Sequence, residues 1–147
     1  MAERRSVHRT QWAAQFAVAS ELCKRGYQVA FTMGNHPSVD LMVISPTDKR
    51  FSIDVKGLYK RNFWVVSPKK QQAGLYYVFA FVPDRDQNEF YVLNQSTANR
   101  LVEDEFERVR ANRIRKGASL ENIERFPCIP WSVMRAYQDK WEVTLPQ

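Results

Sequence analysis

Two apolar runs on either side of a short polar turn constrain this chain more than any other feature. Residues 39–45 read VDLMVIS and residues 51–57 read FSIDVKG, with Pro46, Thr47, Asp48 and Lys49 between them. Pro presets its own φ and Asp bonds back to the nearby backbone, so this is turn chemistry and the two runs predict a β-hairpin. The first run is apolar at nearly every position, which suits a strand covered on both faces. A turn centred on Thr47 sets Val43 against Phe51, Leu41 against Ile53 and Asp40 against Asp54. Side chains alternate along a strand, so Asp40, Asp54 and Lys56 share one face while Phe51, Ile53 and Val55 take the other. Carboxylates directly opposed across a hairpin repel each other. A hard cation such as Mg2+, bound through one or two carboxylates, water and phosphate oxygens, removes that penalty. The Lys56 ammonium would then stand where it can orient a water and stabilise charge on a phosphoryl group. The reading depends on register, because a slip of one residue would move every side chain to the opposite face.

The rest of the chain surrounds this hairpin with a mixed α/β pattern. Ala14, Ala17, Val18 and Leu22 recur at helical spacing within residues 10–25, with Thr10 as the expected N-cap and Gly26 as the stop. Residues 27–32 (YQVAFT), 63–66 (FWVV), 75–82 (LYYVFAFV) and 89–93 (EFYVL) read as further strands. Residues 97–116 read as a charged helix whose basic end matches the helix dipole. Pro127 and Pro130 interrupt the tail, where Trp131 and Trp141 are expected to close the core. No repeat, low-complexity tract or Gly/Ser linker divides the chain, so residues 1–147 are expected to form one domain. Its architecture is expected to be one central mixed β-sheet flanked by helices.

Twenty-two Lys and Arg against sixteen Asp and Glu leave a net charge of +6, which favours a polyanionic partner. The basic residues Lys60, Arg61, Lys69 and Lys70 follow the Asp54–Lys56 strand and are expected to hold a nucleic-acid backbone, with His36 as a further contact. No apolar run spans a membrane and no signal core follows the basic amino terminus, so the expected location is cytoplasmic, with no membrane partner. Cys23 and Cys128 lack disulfide or zinc spacing and are expected to be buried fillers. The five glycines form no phosphate-cradling loop. Of the aromatics on the later strands, Trp64 is the one expected to face solvent, where it could stack on a base.

The helix AAQFAVASELCKRGYQVA, the Pro-Ser-Val-Asp strand start and the Asp-Val-Lys strand together resemble the PD-(D/E)XK nuclease superfamily, with an order and spacing similar to Holliday junction resolvases and small restriction-like nucleases. The aromatic strands continue the resemblance to about Leu93. It implies a restriction-endonuclease-like core and a metal-dependent endonuclease that hydrolyses DNA phosphodiester bonds. By resemblance Asp40 and Asp54 bind Mg2+, with Mn2+ as a substitute, Val55 joins that metal-binding set, and Lys56 assists the attacking water. The family often places a Glu in the first helix; the matching position here is Gln15, with Glu21 as the fallback. A Gln brings no charge, so the alternative is a catalytically weak or inactive nuclease fold that binds nucleic acid. Many members of the superfamily dimerise, and a homodimer is possible on that ground alone.

Overall fold

A computed structural model describes residues 5–121 and 126–147 of the chain; the first four residues of the basic amino-terminal stretch lie outside it. The elements, in order, are α1 (Val7–Lys24), β1 (Gln28–Phe31), β2 (Leu41–Ile44), β3 (Arg50–Leu58), β4 (Phe63–Val65), β5 (Leu75–Phe81), β6 (Glu89–Asn94), α2 (Gln95–Arg115) and β7 (Cys128–Pro130). A 3-10 helix (Trp131–Tyr137) and a single turn, α3 (Trp141–Thr144), complete the chain.

Five strands form one mixed sheet in the order β1-β2-β3-β5-β6. All neighbours are antiparallel except β3 and β5, which run parallel. The hairpin register is the expected one, with Leu41 opposite Ile53 and Val43 opposite Phe51. Asp48 closes its turn at φ +67°, a left-handed conformation that Asp tolerates better than most residues. Ser45 fastens the same turn, its hydroxyl accepting from the Lys49 amide at 3.0 Å.

Because side chains alternate along the strands, the two faces of the sheet feed two separate cores. Phe51, Ile53 and Val55 pack with Ala14, Val18 and Leu22 of α1 and with Trp141 of α3 on one face. Tyr77 and Phe79 of β5 pack with Leu101 and Val102 of α2, Ile129 and Met134 on the other. Helices therefore cover both faces of the sheet. β4 departs from the single-sheet expectation: it pairs with β7 in a separate two-stranded ladder. The indole of Trp64 then stacks on Trp131 at 4.8 Å and is 1% exposed, so it presents no face to a base. Trp141 is fully buried.

The first helix begins one turn earlier than its periodicity suggests. Ser6, not Thr10, is the N-cap and accepts from the Arg9 amide, while Thr10 is buried against the sheet. Gly26, at φ +90°, does end it. Cys23 is exposed on α1 and Cys128 half-buried, so neither is the buried filler expected. Among the described residues no helix is long and apolar enough to cross a membrane.

Candidate metal and phosphate site

The site forms where β2 stops and β3 continues. β2 begins at Leu41, so Asp40 sits just outside the paired register, and its amide donates to Ile53 O at 3.0 Å. Beyond that point the β2-facing edge of Val55 has no strand to pair with. Two side chains supply the missing partners: Asp40 Oδ2 accepts from the Val55 amide at 2.7 Å, and Gln11 Nε2 donates to the Val55 carbonyl at 2.8 Å. A buried backbone group left without a partner costs about 1–3 kcal/mol, so the two contacts stabilise the strand end as well as shape the site. The expected rung between Asp40 and Asp54 is thus replaced by a carboxylate turned into the gap between the strands.

Gln15 reaches the same carboxylate from α1, its Nε2 lying 3.4 Å from Asp40 Oδ1. The fallback, Glu21, is at the other end of the helix, paired with Lys24 at 3.6 Å and Arg25 at 3.8 Å; it takes no part in the site. Burial is the main influence on Asp40 and raises its pKa above 3.8. The Val55 amide opposes that shift, Asp54 adds to it, and Lys56 and Lys69 lower it.

Asp54 is 2% exposed on the α2-side face of β3. Each of its oxygens meets an ammonium: Oδ1 lies 2.8 Å from Lys56 Nζ and Oδ2 lies 2.5 Å from Lys69 Nζ. The Lys69 contact is a hydrogen bond, whereas the Lys56 contact is an ion pair outside hydrogen-bond geometry, leaving Oδ1 without a donor. Tyr77, directly across from Asp54 on β5, has a buried hydroxyl with no hydrogen-bond partner. Burial, with Asp54 adding to it, pushes the phenol up to about 12.

Lys69, expected on a nucleic-acid path, stands in the carboxylate cluster. It is held there from behind by the start of α2. Gln95, 1% exposed, donates to the carbonyls of Lys69 at 3.3 Å and Lys70 at 3.1 Å and accepts from the Gln72 amide at 2.7 Å. Asn99, one turn on, donates to the Lys69 carbonyl at 3.2 Å. Sequence reasoning missed Gln11 and Gln95. Their only signal is a polar residue one helical turn from a residue that also turns out to be in the site, Gln11 before Gln15 and Gln95 before Asn99.

The other expected contacts lie apart from this cluster. Arg61 pairs with Glu89 at 2.7 Å and lies over the rings of Phe81 and Trp131 at the far end of the sheet. Lys60 and Lys70 are exposed. His36 is exposed in the loop before Asp40 and accepts from the Ser38 amide at 3.1 Å.

Among the described residues no three His, Cys, Asp or Glu side chains gather into a cluster. Two carboxylates nonetheless fit a hard divalent ion that completes its shell with water and phosphate oxygens. The Val55 carbonyl, with a second lone pair beside the one Gln11 occupies, is a further oxygen donor at the same gap. Comparison with protein-family models, with curated proteins and with solved structures finds no match to this chain.

Proposed function

We propose that this chain has a restriction-endonuclease-like fold and is a metal-dependent endonuclease that hydrolyses DNA phosphodiester bonds. One observation carries the reading: Asp40 enters the gap between β2 and β3 beside a buried Asp54 whose Oδ1 is 2.8 Å from Lys56 Nζ. Two acids and a lysine on adjacent strands, with helices on both faces of a mixed sheet, are the parts the reading needs. Asp40 and Asp54 would hold Mg2+, which would lower the pKa of a bound water and neutralise charge on the scissile phosphate. Asp40 and Asp54 supply the oxygens, and Gln15 holds the Asp40 carboxylate in place. Lys56 orients the water and stabilises charge on the phosphoryl oxygens. The net charge of +6 supports a nucleic-acid substrate.

Purified protein with Mg2+ or Mn2+ is expected to cut DNA, and Asp54→Ala or Lys56→Ala to abolish cutting while the fold persists by circular dichroism. Cutting that survives both substitutions would remove this site from the reaction. A second reading, a nuclease-like fold that binds nucleic acid without cleaving it, is favoured by the uncharged Gln15 and by the lysine on each Asp54 oxygen. Calorimetric titration with Mg2+ separates the two, since a binding module shows no heat that depends on Asp40.

A further inference from the structure

The four charged groups at this site cancel: Asp40 and Asp54 against Lys56 and Lys69. A dication approaching Asp54 therefore meets two ammoniums already on its oxygens, at 2.8 Å and 2.5 Å. At such distances like charges repel strongly in a partly buried setting. One ammonium must leave Asp54 before that carboxylate can bind a divalent ion.

The two lysines differ in what they can do. Lys56 stands two residues along β3 from Asp54, so its ammonium is tethered to the same strand. Lys69 comes from the separate segment 66–74, between β4 and β5. Its backbone is fastened to α2 through Gln95 and Asn99. A fixed pivot carrying a flexible four-carbon stem lets the ammonium swing without moving the chain. Its side chain keeps 23% of its surface in solvent, and the neighbouring Lys70 is exposed on the same segment. A phosphodiester entering the site brings the anion that such an ammonium needs as its next partner.

Building on the proposed metal-dependent cleavage, we infer that Lys69 is a phosphodiester-binding residue parked on Asp54 in the ligand-free protein, and that its transfer to the phosphate opens Asp54 to the cation. Metal and nucleic acid then load together. The protein alone binds the cation weakly, and the phosphate strengthens that binding.

The test measures Mn2+ binding from the loss of the free-ion electron paramagnetic resonance signal. It uses the full chain and its Lys69→Met, Lys69→Gln and Lys69→Arg variants, with and without a cleavage-resistant phosphorothioate DNA duplex. Without DNA, the Met and Gln variants are expected to bind Mn2+ about tenfold more tightly than the parent, within the usual range of coupling between two ligands. Lys69→Arg, which keeps the charge, stays close to the parent. Adding the duplex tightens binding by the parent by a similar factor and leaves the neutral variants nearly unchanged. Neutral variants that bind Mn2+ no better than the parent, or a duplex that tightens all four proteins alike, overturn the inference and leave the metal site standing. Absence of Mn2+ binding in every protein, with or without DNA, overturns the cleavage reading and the inference together.

Discussion

Ala14 of α1 packs so closely over Gly57 of β3 that a Cβ built on Gly57 would lie 2.8 Å from the Ala14 Cβ. The Thr10 carbonyl is nearly as close, at 3.1 Å. This approach sets the height of α1 above the sheet, and with it the reach of Gln11 to Val55 and of Gln15 to Asp40. Gly57→Ala is expected to lift the helix and destabilise the protein by about 1–3 kcal/mol, the usual cost of overpacking. Urea denaturation measures this directly. An unchanged midpoint would mean that the helix shifts freely and is not held by the contact.

Asp40 makes the fold sensitive to pH in a defined direction. Burial favours its protonated form, so the folded carboxyl titrates above 3.8 while the unfolded one titrates near that value. Between those two points the folded state binds more protons, and stability falls as pH rises through the window. Asp40→Asn keeps an acceptor for the Val55 amide and never ionises. The variant should therefore melt higher than the parent at pH 7, with the gap closing as the pH drops below 3.8. A gap that is constant across a series of thermal melts would contradict the buried-charge account.

Gln95 is expected to matter more than its distance from the carboxylates suggests. Gln95→Ala leaves the Lys70 carbonyl and the Gln72 amide without the partners it supplies, while the Lys69 carbonyl keeps Asn99. The loss should be roughly 1–3 kcal/mol, since Gln95 is buried and its hydrogen bonds, each contributing about 0.5–1.5 kcal/mol net, go together. Asn99→Ala should cost less, because Gln95 still reaches the Lys69 carbonyl. Equal effects in chemical denaturation would argue against this ranking.

Tyr77 should behave in the opposite sense. Its buried hydroxyl has no hydrogen-bond partner, so Tyr77→Phe removes a desolvation penalty and leaves the ring stacked on Phe79. A gain of about 1 kcal/mol is expected. A loss would show that the hydroxyl is bonded in solution, through water or to the Asp54 carboxylate.

The elements near the hairpin were readable because each rests on local physics. Strand alternation and turn chemistry pair Val43 with Phe51 and Leu41 with Ile53, and Gly26 ends α1 because a left-handed residue is needed there. The misreadings share one cause. Whether Trp64 stacks on a base or on Trp131 depends on a partner distant along the chain, as does the pairing of Arg61 with Glu89. Pairing of β4 with β7 was invisible for the same reason, since no local pattern marks which distant strand a three-residue run will join.

The opening hairpin shows where the division falls. The sequence by itself determined that two strands meet at Thr47 and that Asp40, Asp54 and Lys56 come near one another, because a two-residue period and a turn act over short range. Tertiary structure alone decided that β2 begins only after Asp40, so that its carboxylate caps the Val55 amide instead of facing Asp54. It also decided that Lys69, brought in from another segment and secured by Gln95, takes the second oxygen of Asp54. Those placements follow from burial: once β3 is covered on both faces, its buried polar groups draw their partners from whichever segment can reach them.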